Sequence, residues 1–296
     1  MAKEQINEAI SGVEKNYNAH RQFYPNGDTE KREAELKKIF TNSEYRCFLN
    51  QLRYDKIMPL VQDCDRWLTL GDYCGEEAAW LAPHCKAVIA SDICTSYLEV
   101  AQLMGYIVSY SQQNAEAMTF ENHDFDFVLC RESLHHFPRP YLAVYEMLRC
   151  AKKGIIINEP LDPLSKYPPL LFLCNVLDTR KHPIRSFGVW KNRFSFETVG
   201  NYIYKVSQRE FEKLAMGIGL PAVAFCYSND SCVNFLSDIK KTRRQLRKRN
   251  LLSALRIVPY QTLTAVLFKE TPDEETVNRL WQKGYAYYEL PPNPYL

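Results

Sequence analysis

Between residues 67 and 160, short apolar runs alternate with stretches whose apolar residues recur at helical spacing. Trp67 to Leu70, Ala87 to Ala90, Ile107 to Ser111, Phe125 to Cys130 and Gly154 to Asn158 have strand length and are largely apolar. Continuous apolar strands separated by helices predict a parallel sheet covered on both faces. The spacers read as a short helix at Ala78 to Leu81 and a longer one from Thr95 to Met104, stopped by Gly105. A third runs from Pro140, which suits a first helical turn, to about Ala151.

The flanks follow other rules. Ile6, Ile10, Val13 and Tyr17 mark an amphipathic helix, Pro25 to Asp28 a turn, and Ala34, Leu36 and Phe40 a second helix. Tyr45 to Val61 reads as more helix, so residues 1–62 form a helical lid before the first strand. Residues 161–206 break the rhythm with Pro163, Pro168, Pro169 and Pro183, and read as an insertion lying over the site. Ser207 to Glu210 is a capping box, followed by the stripe Phe211, Leu214, Ala215 and Ile218. Ala222 to Tyr227 and Leu263 to Phe268 are the sixth and seventh strands, with a basic helical insertion at 229–258 between them. Thr271 to Glu274 caps a last helix within a C-terminal helix and tail, 271–296. The expected fold is α/β: a doubly wound, mostly parallel seven-stranded sheet whose core spans 63–160 and 207–270.

A chain of 296 residues, 46% of them hydrophobic, can bury a core without disulfide staples. Its ten cysteines include no CxxC pair, and Cys85, Cys130, Cys174 and Cys226 lie in apolar runs as small hydrophobes. No His pair has metal-ligand spacing, so no metal site is expected. No apolar run approaches the ~20 residues of a membrane span. Met1 to Ile10 is polar and carries no secretory pattern, which makes the cytoplasm the expected compartment.

The net charge of +2 points to no polyanion, and no DNA partner is expected. The run Lys240 to Arg249 is the exception, with seven basic residues in ten. It reads as a solvated helix face, as a peripheral contact of 235–252 with an anionic membrane, or as a grip on RNA. The overall charge and the lack of a known RNA-binding module disfavour RNA.

The chemistry falls at the carboxyl ends of the expected strands, where a doubly wound sheet gathers its loops around a ligand. Gly71 and Gly75 follow the first strand, Asp92 and Ile93 the second, Asn114-Ala115-Glu116 the third, and Leu134-His135-His136-Phe137 the fourth. Glycine lets backbone approach a ligand, a carboxylate accepts from a ribose diol, and a short amide reads an adenine edge. Glu116 is read as facing water. Each residue has a plainer reading: glycine as a turn, Asp92 as a helix cap. Their joint register favours a nucleotide-like cofactor. Asp124-Phe125-Asp126 is a metal-type D-x-D at a strand's start, the wrong end for such a site.

Residues 67–160 resemble a class I S-adenosylmethionine-dependent methyltransferase of the small-molecule type. That family begins with an acid, one further residue, then Gly-x-Gly-x-Gly. Here the register is Thr69-Leu70-Gly71-Asp72-Tyr73-Cys74-Gly75: the outer glycines match, Thr69 replaces the acid and Tyr73 the middle glycine. Asp92 matches the ribose-binding acid, Asn114 stands at the adenine position, and Phe125 to Val128 and Leu134 to Phe137 match the fourth-strand motif and its sequel. The resemblance implies S-adenosylmethionine as cofactor, with Gly71, Asp72, Tyr73, Gly75, Asp92, Ile93, Asn114, Ala115 and Arg131 around it. Asp72 or Glu76 is the expected stand-in for the acid missing at Thr69.

Methyl transfer to a small acceptor follows, with O-methylation favoured. His136 is the first choice of base, His135 and Glu159 the next, and Glu132 lies at the same strand end. Aromatic residues between Tyr167 and Tyr204, with Arg180, Lys181, His182, Arg185, Lys191 and Arg193, suggest an anionic acceptor. The alternative is a methyltransferase-like protein that binds without turnover because Tyr73 fills the cleft. A nicotinamide enzyme would need G-x-G-x-x-G, and a hydrolase G-x-S-x-G; neither stands here.

Overall fold

The computed structural model describes residues 13–15, 17–19, 28–41, 43–62, 65–162, 203–230, 238–292 and 294. Expectations for Ile6, Ile10, the turn at 25–27, Cys174, Phe235 and the aromatic and basic residues within 163–202 lie outside them.

Residues 13–15 and 17–19 are helical. α1 (Thr29–Ile39) and α2 (Glu44–Tyr54) start where Asp28 and Ser43 accept from the backbone N–H groups of Glu30 and Arg46. A 3₁₀ turn at Met58–Leu60, with Pro59 inside it, ends the segment, so the helix expected through Val61 stops at Tyr54. The core then alternates as β1 (Arg66–Leu70), α3 (Glu76–Leu81), β2 (Ala87–Asp92), α4 (Ser96–Leu103), β3 (Tyr110–Gln112), β4 (Phe125–Arg131), α5 (Pro140–Cys150) and β5 (Ala151–Pro160). After the 161–206 excursion come α6 (Gln208–Gly217), β6 (Ala222–Ser228), α7 (Ile239–Ala254), β7 (Thr262–Phe268), α8 (Glu274–Gln282) and β8 (Ala286–Glu289). No described helix is long and apolar enough to cross a membrane.

The sheet order is β3-β2-β1-β4-β5-β7-β6-β8. The first five are parallel, and β7 runs antiparallel between β5 and β6. The expected seven strands become eight because Ala286–Glu289 pairs antiparallel with β6. That strand is short, lies at an edge and is mostly exposed, so it lacks the apolar run that marks the others. β3 begins at Tyr110 rather than Ile107, because Ile107 leaves the ladder to pack against Gly75.

Alternating side chains build two cores. Trp67, Leu129 and Ile156 pack with Leu81 and Leu98 on one face; Leu68, Val128, Ile155 and Ile157 pack with Val144 and Phe211 on the other. The N-terminal helices brace the first layer. The Tyr97 hydroxyl of α4 donates to Glu35 of α1, and the rings of Tyr54 and Trp80 stack at 4.7 Å between α2 and α3. Asp162 N donates to Val206 O at 2.8 Å and Val206 N to Pro160 O at 3.0 Å, so the excursion leaves and rejoins the core at one point.

Candidate functional site

The strand order reverses between β1 and β4, and the loops after β1, β2, β3 and β4 meet there. Gly71 takes φ +70°, a region that penalises any Cβ. A Cβ at Gly71 would also lie 2.5 Å from Ser133 Cβ. Its absence lets the loop after β4 close down, with Ser133 Oγ donating to Gly71 O at 2.7 Å.

The converging loops enclose a cleft of about 750 Å³, counting its open mouth. Six of the expected cofactor residues line it: Gly71, Tyr73, Asp92, Ile93, Asn114 and Ala115. Asp92 is only 9% exposed. Burial pushes its carboxyl up to about 6, against the pull of the Cys94 and Ile93 backbone N–H groups. Cys94 N donates to Oδ1 at 2.9 Å. Asn114 Oδ1 accepts from Glu116 N at 3.0 Å, which sets the amide's direction. Tyr73 lies along the wall, its ring 4.5 Å from that of Tyr97, and the cleft stays open beside it.

The other three expected cofactor residues lie outside the lining. Asp72 turns beneath the loop, where Oδ2 accepts from Thr69 Oγ1 at 2.8 Å and Ala78 N at 2.9 Å. It thereby caps α3, whose own N-cap, Gly75, has no side chain to offer. Gly75 packs on Ile107 and Leu98. Arg131 pairs with Glu77, its Nε donating at 2.6 Å, and lies over the Tyr54 ring at 5.6 Å. Burial pushes the Asp72 carboxyl well up, and Glu77 beside it acts the same way. Burial also acts to raise Glu77, but Arg131 outweighs it and holds that carboxyl at about 2. Glu76 pairs with Arg46 and Arg53, so neither proposed stand-in for the acid missing at Thr69 reaches the cleft. Besides Asp92, the carboxylate that lines it is Glu132. It follows directly on β4 and takes φ +50°, an uncommon conformation for a residue with a Cβ.

Of the expected bases, His136 lines the cleft and Glu159 does not. Glu159 is fully buried. Its Oε1 accepts from Ser133 N and Leu134 N, both at 2.7 Å, and Oε2 meets His135 Nδ1 at 2.5 Å. With three donors around it, Glu159 fixes the loop after β4 instead of facing a ligand. The His135 and His136 rings lie 4.1 Å apart. His135, His136 and Glu132 also line a second chamber of about 1140 Å³, counting its opening, with Pro160, Leu161, Lys205, Arg249, Pro259, Tyr260 and Gln261.

Sequence reasoning missed several lining residues. Ser133, Phe137 and Pro138 flank the His pair, and Gln113 precedes Asn114, so the motifs already marked their loops. Tyr17 had no such signal. It lines the cleft from the N-terminal segment, and burial with Glu116 alongside pushes its hydroxyl up to about 12. Glu116 does not face water: it is buried and accepts from Arg139 Nε at 2.6 Å. Among the described residues no group of His, Cys, Asp and Glu is arranged to hold a metal.

Residues 68–157 match the family model described as a methyltransferase domain. The uncharacterized methyltransferase YcgJ of Bacillus subtilis is 30% identical over 109 residues, 33% of this chain; the chain spans 43% of that curated relative's length. The crystal structure of YcgJ aligns with 75% of this chain and 99% of its own at 18% identity and TM-score 0.49. A complex of the Haloferax volcanii Trm112 methyltransferase activator with a methyltransferase aligns over 83% and 96% of the chains, at 11% identity and TM-score 0.50, a likeness of fold. Motif register, fold and family match agree across residues 68–157, and that stretch is similar to methyltransferase domains of the class I S-adenosylmethionine-dependent type.

Proposed function

We propose that this protein methylates a hydroxyl of a small acceptor, with S-adenosylmethionine as donor and His136 as general base. The observation that carries the reading is the open cleft at the strand-order reversal, with Asp92 and Asn114 in its wall. When bound, the cofactor supplies a methyl group already activated by its sulfonium, so the protein's main task is alignment.

The residues suit that ligand. Asp92, once ionised, would accept from both ribose hydroxyls. Asn114 and the Ala115 amide would meet the adenine edge. Glu132 would take the α-ammonium, the task left open by Thr69. His136 lines both chambers, so an acceptor hydroxyl at their common wall lies within reach of its imidazole. Proton removal there would raise the hydroxyl's nucleophilicity. Glu159 acts through the loop as a positioning residue, with Ser133 N, Leu134 N and His135 tied to it.

Calorimetric titration with S-adenosylmethionine and S-adenosylhomocysteine tests the reading. Both are expected to bind, and His136→Ala is expected to keep that binding while losing turnover on hydroxyl acceptors. Failure of both ligands to bind overturns the proposal. Unchanged turnover in His136→Ala overturns the role of the base.

A further inference from the structure

We infer that the second chamber is the acceptor site, and that it selects a small organic molecule bearing a phosphate or carboxylate, held by Arg249. The inference rests on the methyl-transfer reading and adds the class of acceptor and the residue that recognises it.

The basic run supplies the first observation. Lys240, Lys241, Arg243, Arg244, Arg247 and Lys248 are exposed on α7, whereas Arg249 is half-buried and lines the chamber. The second is how Arg249 is held. Its Nε donates to Asn229 Oδ1 at 3.3 Å. Asn229 is 1% exposed. Its Nδ2 donates to Asn250 Oδ1 at 2.8 Å and Ser253 Oγ at 3.2 Å, both on the same helix. A buried, braced amide thus fixes the guanidinium through one nitrogen. The two terminal nitrogens form a planar fork matched to an oxyanion. No hydrogen bond or ion pair with a described residue engages either of them.

The rest of the wall agrees. Lys205 adds a second cation, and among the described lining residues the one carboxylate, Glu132, is paired with Arg131 at 3.2 Å. The chamber is therefore positive, which attracts an anion and disfavours a cationic amine. Leu161, Pro259 and Tyr260 supply apolar and aromatic surface for an organic body, and the Tyr260 ring is steadied 5.9 Å from that of Tyr227. His136 stands on the wall shared with the cofactor cleft. An acceptor anchored by its charge at Arg249 can present a hydroxyl to that wall.

The test uses the full chain loaded with S-adenosylhomocysteine, and phenyl phosphate, benzoate and phenol as calorimetric probes. The anions are expected to bind at least about tenfold more tightly than phenol, and Arg249→Gln to weaken them about ten- to hundredfold, the usual worth of a charge-assisted fork. Arg249→Lys should fall between, keeping charge without the fork. Arg247→Gln, on the exposed face, should change nothing, and every variant should bind S-adenosylhomocysteine normally. If Arg249→Gln unfolds, Lys205→Gln decides, with an expected loss of about threefold or more for the anions only. Equal binding of phenol, an unaffected Arg249→Gln, or equal losses in Arg249→Gln and Arg247→Gln would each overturn the proposal. If wild type does not bind S-adenosylhomocysteine, the methyl-transfer reading falls instead, and the probes titrated against the unloaded chain still decide what the chamber holds.

Discussion

Asp92→Asn should stabilise the fold and weaken cofactor binding, two effects of opposite sign from one buried carboxylate. Burial raises the Asp92 carboxyl from an ordinary 3.8 to about 6. At about 1.4 kcal/mol per tenfold change in proton affinity, ionising it in the native state costs about 3 kcal/mol relative to the unfolded chain. The folded value lies above the unfolded one, so the neutral form's stability is fully present below pH 3.8 and lost as pH rises through about 6. Asparagine is neutral throughout and can still accept from Cys94 N. The variant should therefore match wild type near about pH 4 and exceed it by up to about 3 kcal/mol above about pH 7, in urea unfolding monitored by circular dichroism. Binding moves the other way. Replacing hydrogen bonds to a charged acceptor by neutral ones removes about 1.5–3 kcal/mol, or about ten- to 150-fold in affinity for S-adenosylhomocysteine. Wild-type affinity should itself fall about tenfold per pH unit below about 6, because the proton has returned. An Asp92→Asn variant that binds like wild type, or that is less stable near about pH 8, refutes this reasoning.

Gly71→Ala combines a left-handed φ of +70° with a Cβ 2.5 Å from that of Ser133, and should cost about 2–4 kcal/mol of stability in urea unfolding and abolish measurable S-adenosylhomocysteine binding. Glu77→Gln removes the buried partner of Arg131 and leaves it only the longer contact with the more exposed Glu132, and should cost about 3 kcal/mol. Asp72→Asn changes a carboxyl that burial already favours in neutral form, and should cost less than about 1 kcal/mol in the same assay. Because Glu77 titrates near 2 in the fold, its contribution is present above the usual glutamate range and lost as pH falls towards 2, which acid unfolding of wild type against Glu77→Gln will register. Glu159→Gln weakens three hydrogen bonds at once and should cost about 1–3 kcal/mol, with a changed pH–rate profile that a purely structural loss would not produce.

The sheet was readable because burial on both faces turns a central strand into an unbroken apolar run. Ile155, Ile156 and Ile157 are fully buried and divide between the two cores, and no other secondary structure explains such a triplet as simply. Where burial is one-sided or absent, the signal fades. Tyr287 and Tyr288 sit in a short edge strand paired with β6 in which Ala286, Tyr288 and Glu289 are exposed and only Tyr287 packs inward, so no apolar run marks it. Ile107 failed in the opposite way: it is as apolar as a strand residue, but it fills the space left by the missing side chain of Gly75.

The site shows the same division at the level of single residues. Register alone identified the loops, because the topology of a doubly wound sheet decides which loops meet. It did not identify which residue of each loop faces the ligand, because neighbouring residues in a tight turn point in opposite directions. Gly71 lines the cleft while Asp72 turns under it to cap α3; His136 lines it while Glu159, expected beside it, lies beneath. The residues that missed the wall are those that hold it in place. Asp72 secures the turn after β1, Arg131 ties the end of β4 to α3 through Glu77, and Glu159 ties the loop after β4 to β5. These supports share buried charges and hydrogen bonds that no linear pattern encodes. A substitution in the wall should therefore change ligand affinity before stability, as Asp92→Asn does in reverse sign. A substitution in the supports should change stability first, and affinity only as the loops lose their relative position.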